Sequence, residues 1–391
     1  MKIHSAINGT SSQQNWQSTL PAPEPSLGLN AYKRERQLAL AASPRRLWNY
    51  YKYTRSARRS TKVDYHPIKL DIENVSRCNF RCTMCQVSGW PKYKRADDMA
   101  FEDFKHLIDH QYGLVEIKLQ GMGEPTLGGD TLFRMIRYAR KKHIWVRTVT
   151  NASMLHLRDI YRNLVDSGPN EIQISIDGAT KETFEKIRVG SNFDVVKSNC
   201  KLINRYCEEK GRNVTKMWTV VQRDNFHELP ALIGLAKELG FRSMVFSLNL
   251  TDWGQDKWTV HNKEVTMDQM LTKEMTDSLM KRAREMGLIL SWWNVNTKYS
   301  AASLDKLCPW PFERAYVSSD MRVVPCCMIA NPEAADLGDA RQFSEVWKGA
   351  VYQKFREAHL SGNIPKVCRM CYQFPTEQHA KAQVKIETGQ Q

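Results

Sequence analysis

The chain has 391 residues, which is too long for one ordinary core and favours two packed units. Hydrophobic residues make up 42% of the chain, but no run approaches the roughly 18 uninterrupted apolar residues that a membrane span needs. Because the first twenty residues lack the apolar stretch of a secretory signal, we expect a cytoplasmic protein. Ten cysteines in such a protein favour metal ligation over a disulfide framework.

The net charge of +15 is concentrated in the segment 33–62, which holds ten Lys or Arg and a single acid, Glu35. The segment 1–30 lacks apolar periodicity, so we expect residues 1–66 to be a basic, largely disordered arm. Trp48 and three tyrosines interleave with the charges. Two interpretations stay open: a site for RNA, an acidic membrane surface or a phosphorylated substrate, or a segment that is solvated or packs on the rest of the protein.

From residue 68 onward, β-rich runs alternate with amphipathic helical patterns. The β-rich runs lie at 68–73, 116–121, 145–151, 171–177, 215–222 and 243–249. The helical patterns between them lie at 101–110, 131–142, 155–166, 181–187, 193–210 and 229–239. This alternation predicts an α/β fold with parallel strands, here a partial (β/α)6 open barrel, over residues 67–300. Active sites of such sheets lie at the carboxyl ends of the strands.

After the sixth run the alternation weakens, with a helical pattern at 267–286 and a β-like run at 288–293. The second group of cysteines follows. We expect residues 301–391 to form a small cysteine-rich domain.

Cys78, Cys82 and Cys85 have the spacing CxxxCxxC directly after the first predicted strand. Three thiolates on one short loop can bind three irons of a cubane and leave the fourth iron open to a small molecule. Zinc or buried free thiols are the alternatives. Structural zinc normally has a fourth Cys or His at short range, and none follows Cys85 before His106.

This loop, placed after the first strand of a βα repeat, resembles that of the radical S-adenosylmethionine (SAM) superfamily. Gly121–Pro125, GMGEP, resembles the glycine and glutamate motif of that family, whose backbone binds the methionine amino group of SAM. Met122 stands where a glycine is usual. The resemblance implies that Arg188 binds the cofactor carboxylate, for which a guanidinium is well suited. The full set of implied SAM contacts is Gly121, Met122, Gly123, Glu124, Asn151, Ser175 and Arg188.

Each of these SAM contacts also has a purely structural interpretation. The glycines of GMGEP could simply form a turn, and Asn151 could cap a helix. Ser175 could satisfy a buried backbone group, and Arg188 could form a surface ion pair.

The resemblance implies an iron–sulfur enzyme of the oxidoreductase or epimerase type. A [4Fe–4S] cluster held by Cys78, Cys82 and Cys85, reduced by a flavodoxin- or ferredoxin-like donor, would cleave SAM to a 5′-deoxyadenosyl radical. That radical would then take a hydrogen atom from the substrate.

The second group contains Cys308, Cys326, Cys327, Cys368 and Cys371, whose spacing suits zinc or a second cubane equally well. The run 320–327, DMRVVPCC, resembles an element of the SPASM extension of radical SAM enzymes, with Met321 in place of its usual glycine. The resemblance implies one auxiliary [4Fe–4S] cluster, because no cysteine follows Cys371. Adjacent residues of an extended strand face opposite ways, so we predict that Cys327 is only a packed thiol. The predicted ligands are Cys308, Cys326, Cys368 and Cys371.

Cys200 and Cys207 are seven residues apart on one predicted helical face, and we expect buried structural thiols. The alternative is delivery of a hydrogen atom to a substrate radical, as in epimerases of the superfamily.

Three substrate hypotheses follow. The main one is oxidation or epimerisation of a carbohydrate or similar polar intermediate. The alternative is modification of a ribosomally synthesised peptide or protein. The third is modification of a nucleic acid bound by the basic arm.

Overall fold

The computed structural model describes residues 29–56, 60–91, 96–248, 250–293 and 298–373. The disorder expected for residues 1–28 therefore lies outside the described residues. The strands are β1 Lys69–Ile72, β2 Arg81–Cys82, β3 Glu116–Leu119, β4 Trp145–Thr150, β5 Glu171–Ser175, β6 Arg188–Val189, β7 Thr215–Val220, β8 Ser243–Ser247, β9 Ile289–Trp293, β10 Arg314–Val317, β11 Arg322–Val324 and β12 Gly338–Asp339. The α-helices are α1 Leu29–Ala41, α2 Pro44–Ser56, α3 Phe101–His110, α4 Asp130–Lys141, α5 Ile160–Asp166, α6 Lys181–Ile187, α7 Phe193–Glu209, α8 Leu229–Glu238, α9 Asp256–Val265, α10 Lys273–Glu285, α11 Trp310–Glu313, α12 Phe343–Lys348 and α13 Ala350–Leu360.

One large sheet organises the chain, with the strand order β12-β11-β10-β1-β3-β4-β5-β7-β8-β9. The six predicted strands are adjacent and parallel, from β1 to β8. Two further parallel strands flank them, β9 beside β8 and β10 beside β1. The α/β fold with its mostly parallel, partial-barrel sheet is confirmed.

The strands alternate between two faces. On β1, Leu70 and Ile72 are fully buried in the core that the sheet shares with the flanking helices, while Lys69 and Asp71 lie on the opposite face. That opposite face carries a ladder of buried charges near the amino ends of the strands. Arg147 lies 3.1 Å from Glu116 and 3.8 Å from Glu171, which is 3.0 Å from Lys216.

Opposite charges stabilise one another in this ladder because each would be costly to bury alone. Burial acts to raise the pKa of Glu116, but the charges of Arg147 and Lys69 outweigh it and lower the pKa to about 2.

Residues 29–56 differ from the largely disordered arm expected for residues 1–66, because they form α1 and α2 and pack against the amino end of the sheet. The Tyr32 hydroxyl donates to Glu116 at 2.9 Å, and the Tyr32 ring contacts Trp145 edge-on. Arg46 is buried and donates to the Lys142 carbonyl at 2.9 Å. These partners are distant in sequence, so local periodicity does not reveal them. The contacts favour the packing interpretation of the arm, and nucleic-acid binding stays a prediction.

The C-terminal region continues the same sheet, because Leu70 of β1 pairs with Ala315 of β10. β11 and β12 then extend the sheet by antiparallel pairing. The division into residues 67–300 and 301–391 stays a prediction, since the two regions share this sheet. Within the described ranges, no helix is both long enough and apolar enough to cross a bilayer.

Candidate active site

The first cysteine group lies on the loop that follows the carboxyl end of β1. Cys82 belongs to the short strand β2, whose antiparallel pairing with β6 places it opposite Arg188. A hydrogen bond from the Cys85 amide to the Cys82 carbonyl at 3.1 Å closes a backbone turn in this loop. Cys78, Cys82 and Cys85 are partly buried and form no disulfide.

These thiols lie in a site that favours their neutral form. Burial raises the pKa of Cys78 to about 11 and that of Cys85 to about 12. Burial also raises the pKa of Cys82, where the Arg188 guanidinium acts in the opposite direction. Thiolates here therefore need a cation, which iron ligation supplies with release of the thiol protons. Among the described residues, no three His, Cys, Asp or Glu side chains are arranged to hold a single metal ion.

Arg188 is held beside Cys82 by Asp177. Its Nη2 is 2.6 Å from Asp177 Oδ2, and its Nη1 is 4.0 Å from Cys82 Sγ. The Arg188 Nε is buried and has no hydrogen-bond partner among the described residues. A buried unsatisfied donor next to the cysteine loop suits an anionic group such as the carboxylate of SAM.

The loop Gly121–Pro125 packs against the residues that precede Cys78, which leaves no room for side chains at its glycines. A Cβ on Gly121 would lie 2.3 Å from Glu73 Cγ, and one on Gly123 would lie 2.2 Å from the Val75 carbonyl oxygen. The Glu124 amide donates to the Arg77 carbonyl at 2.9 Å. The sequence thus requires glycine on both sides of Met122, whose buried side chain replaces the usual glycine.

Glu124 fastens this loop to the end of β4. Its buried carboxylate accepts hydrogen bonds from the Thr126 hydroxyl at 2.6 Å, the Thr150 hydroxyl at 2.7 Å and the Asn151 amide at 2.7 Å. The Asn151 side chain donates to Asn79 Oδ1 at 2.9 Å, next to Cys78. Glu124 and Asn151 therefore hold the glycine loop, β4 and the cysteine loop together.

Ser175 is the last residue of β5 and is partly exposed at the same edge of the sheet. The predicted SAM contacts thus gather at the carboxyl ends of β3, β4 and β5 and at β6, around the cysteine loop.

Glu73, which the sequence analysis does not single out, directly follows β1 and precedes Cys78 by five residues. Its carboxylate accepts the Met122 amide at 2.8 Å and the Ser319 amide at 3.2 Å. Burial raises the pKa of Glu73 to about 7. The sequence signal for Glu73 was an acidic residue at the end of a predicted buried strand. Its hydrogen-bond partners are distant in sequence and can be identified only in the folded structure.

The second cysteine group brings Cys308, Cys326, Cys368 and Cys371 within electrostatic reach of one another. Burial raises the pKa of Cys368 well above its usual range, and the nearby Cys326, Cys308 and Cys371 thiols add to the shift. For Cys371 the causes are again burial, then Cys326 and Cys308. Four partly buried thiols within electrostatic reach of one another suit a cluster with four cysteine ligands.

Cys327 has a different neighbour from Cys326. The pKa of Tyr316 on β10 is raised by burial, by the Glu73 charge and then by the Cys327 thiol. These electrostatic interactions favour Cys326 over Cys327 as the fourth thiol of the group.

The two cysteine groups meet at one apolar cluster, which we call the bridging cluster. Its buried members are Val87, Met122, Tyr316, Val324, Ile329 and Ala330, and the side chains packed on them include Trp90, Trp253, Trp310, Cys78, Cys85, Cys326, Cys327 and Cys368. Gln86 donates to the Ile329 carbonyl at 3.0 Å, and Trp253 donates to the Met84 carbonyl at 3.4 Å. The C-terminal region therefore helps to set the position of Cys85.

A cavity of about 800 Å³ opens on another side of the cysteine loop. It is lined by Arg77, Cys78, Asn79, Arg81, Ala96, Asp97, Asp98 and Leu127. Cys78, Asn79 and Arg81 place this cavity beside the cysteine loop.

Cys200 and Cys207 lie apart from both groups. Both belong to the main core, on the buried face of α7. Burial raises the pKa of Cys200 above its usual range and that of Cys207 to about 11. These positions favour the interpretation of structural thiols.

Comparison with known families locates both cysteine groups within characterised domains. The profile of the radical SAM superfamily matches residues 74–236, from the cysteine loop to α8. Residues 74–236 of this chain thus form a radical SAM domain. The SPASM profile, an iron–sulfur cluster-binding domain, matches residues 308–372 of the same chain. The two domains imply that the cofactors are SAM, a SAM-binding [4Fe–4S] cluster and auxiliary iron–sulfur cluster binding. They therefore favour iron over zinc at both cysteine groups.

Two curated relatives illustrate the range of the family. The mycofactocin maturase MftC of Mycolicibacterium smegmatis is 29% identical over 197 residues, which cover 49% of this chain and 47% of the maturase. The match thus spans about half the length of that relative. The AdoMet-dependent heme synthase of Methanosarcina barkeri is 25% identical over 325 residues, covering 76% of this chain and 89% of the synthase.

Among solved structures, SuiB of Streptococcus suis bound to its precursor peptide SuiA has a TM-score of 0.61 at 15% identity. The superposition covers 90% of this chain and 75% of SuiB. This likeness shows a shared fold.

Proposed function

We propose that this radical SAM enzyme is a maturase that modifies a peptide or protein substrate. The observation that carries the proposal is the bridging cluster, in which both cysteine groups and three tryptophans meet. A maturase among the relatives and a precursor peptide bound to a protein of the same fold give further support. The comparisons favour this alternative over oxidation or epimerisation of a carbohydrate.

At the first group, Cys78, Cys82 and Cys85 hold the SAM-binding cluster in this proposal. When bound, the cluster and SAM supply a 5′-deoxyadenosyl radical that removes a hydrogen atom from the substrate. The backbone of the glycine loop receives the SAM amino group, and Glu124 keeps that loop in place through its hydrogen bonds to Thr150 and Asn151. Asn151 and Ser175 complete the SAM contacts.

Arg188 binds the SAM carboxylate with its unsatisfied Nε, while Asp177 holds the guanidinium in position. Charge-assisted hydrogen bonds of this kind are about twice as strong as neutral ones. The ion pair with Asp177 also limits the charge that Arg188 brings to the cysteine loop.

At the second group, Cys308, Cys326, Cys368 and Cys371 hold a single auxiliary cluster. Its place across the bridging cluster suits exchange of an electron with a substrate intermediate formed near Cys78. If the cluster accepted the electron of that intermediate, the overall reaction would be a two-electron oxidation, or a bond formation accompanied by one.

The tryptophans explain why a peptide suits this surface. Trp90, Trp253 and Trp310 pack against the bridging cluster but remain partly exposed. Indole rings with an apolar body and an N–H donor are enriched where proteins bind other polypeptides. An apolar peptide side chain could therefore pack here with its backbone near the radical site.

The test is anaerobic turnover of the reconstituted enzyme with SAM and dithionite. Precursor-type peptides encoded in the same gene neighbourhood are compared with carbohydrates such as aminocyclitols. We expect peptide-dependent formation of 5′-deoxyadenosine together with a mass change in the peptide. Turnover driven by a carbohydrate and by no peptide would overturn the proposal, and Cys82→Ala serves as the inactive control.

A further inference from the structure

Lys298 is a buried cation beside the second cysteine group. Its side chain is buried, and its Nζ lies 4.1 Å from the centre of the Trp293 ring. Burial lowers the pKa of Lys298 to about 8, while the Cys308 and Cys371 thiols act in the opposite direction. The ammonium therefore interacts electrostatically with two of the four thiols that we propose as cluster ligands.

The backbone fixes this position. Tyr299, the next residue, donates its amide to the Cys371 carbonyl at 2.8 Å and accepts the Gln373 amide at 2.7 Å. Tyr299 also forms a parallel bridge with Tyr372. These bonds attach the backbone beside Lys298 to the segment that carries Cys371. The position of Lys298 relative to Cys371 is therefore set by the backbone as well as by the lysine side chain.

Carboxylates also act on this group, because Asp71 and Asp252 both raise the pKa of Cys326. Asp252 acts on Cys326, Cys368 and Cys371 and raises their pKa values, after the larger effect of burial. Lys298 acts on Cys308 and Cys371, and it lowers the pKa of Cys371. The group thus experiences charges of both signs.

We propose that the positive charge of the Lys298 ammonium raises the reduction potential of the auxiliary cluster. This inference rests on the proposed cluster at Cys308, Cys326, Cys368 and Cys371. One-electron reduction adds one negative charge to such a cluster, and a nearby buried cation stabilises that added charge. The charge of Lys298 therefore favours the reduced state and makes the cluster a better acceptor of an electron from a substrate intermediate.

The experiment measures the auxiliary cluster by itself. In the full chain, Cys78, Cys82 and Cys85 are all changed to Ala, so that iron bound after anaerobic reconstitution reports on the second group. Lys298→Met, Lys298→Arg and Lys306→Met are then made in this background. Lys306 is an exposed lysine near Cys308, so Lys306→Met is the matched control, because water screens its charge. Dithionite titrations followed by electron paramagnetic resonance give the midpoint potentials, and iron analysis gives the loading.

We expect Lys298→Met to lower the equilibrium constant for reduction at least tenfold, which is a midpoint lower by ~59 mV for a one-electron couple. Lys298→Arg should keep most of the potential, and Lys306→Met should not change it. Loss of iron in Lys298→Met but not in Lys298→Arg also supports a role for the charge. Equal potentials in Lys298→Met and the parent, or loss of iron in both Lys298 variants, overturn the inference. Absence of iron from the parent background itself counts against the proposed auxiliary cluster instead.

Discussion

The Glu73 carboxylate accepts the Met122 amide at 2.8 Å, and its other oxygen accepts the Ser319 amide at 3.2 Å. One side chain at the end of β1 therefore connects the glycine loop to the C-terminal region. Because Met122 also lies in the bridging cluster, the position of the SAM-binding loop is coupled to the packing around the second cysteine group.

Glu73 should make the stability of the chain depend on pH. Burial raises its pKa from 4.5 to about 7, so its contribution is fully present below pH 4.5 and is lost as pH rises through 7. Relative to Glu73→Gln, the wild-type free energy of unfolding should fall by about 3 kcal/mol over this interval. Urea unfolding of the metal-free chain, followed by tryptophan fluorescence at pH 5 and pH 8, measures the difference.

The control for that experiment is Glu285→Gln, because Glu285 is 63% exposed. Its difference from wild type should be the same at both pH values. A constant difference between wild type and Glu73→Gln would show that Glu73 does not titrate in this window.

Gly123→Ala should weaken SAM binding by more than tenfold. The added Cβ would lie 2.2 Å from the Val75 carbonyl oxygen, and backbone cannot move away as a flexible side chain can. Gly89→Ala is the matched control after Cys85, because nothing lies within 4 Å of a Cβ there. Equilibrium binding of SAM to reconstituted protein measures both variants, and equal affinities would contradict the close approach.

Arg188→Met should raise the Kd for SAM by about 10- to 100-fold, the range expected for a lost hydrogen bond between charged groups. The comparison variant is Lys186→Met, which removes an exposed cation paired with Asp224. Calorimetric titration with SAM distinguishes the two. An unchanged Kd in Arg188→Met would mean that the guanidinium serves only Asp177 and Cys82.

Cys326 and Cys327 should differ in iron loading. Wild-type protein with two cubanes binds about eight irons per chain, and Cys326→Ala should bind about four. Cys327→Ala should keep about eight, because Cys326 is the thiol that acts on Cys368 and Cys371, whereas Cys327 acts on Tyr316. Iron analysis after anaerobic reconstitution decides, and the reverse result would exchange the two roles.

The sequence predicted the repeating part of the fold well, because each βα unit carries its own signals. Six β-rich runs became β1, β3, β4, β5, β7 and β8, and the helical pattern at 101–110 matches α3. Strand alternation and helix periodicity are local properties, so they need no knowledge of the fold. The spacing of Cys78, Cys82 and Cys85 is local in the same sense, and the family resemblance built on it is confirmed.

What the sequence did not predict depends on contacts between distant residues. Tyr32 meets Glu116 across 84 positions, so the packing of α1 was not visible in the composition of the arm. Glu73 meets Ser319 across 246 positions, and β10 joins β1 only in the folded sheet. Charge and polarity near residue 32 indicated exposure, whereas a few tertiary partners were enough to order α1 and α2.

The most direct test of the account is formation of 5′-deoxyadenosine by anaerobically reconstituted Cys82→Ala, measured beside wild type and Cys368→Ala with SAM and dithionite. Loss of Cys82 should abolish 5′-deoxyadenosine, whereas Cys368→Ala should still cleave SAM but yield less product. Cleavage retained in Cys82→Ala would contradict the assignment of the loop after β1 as the site of radical generation.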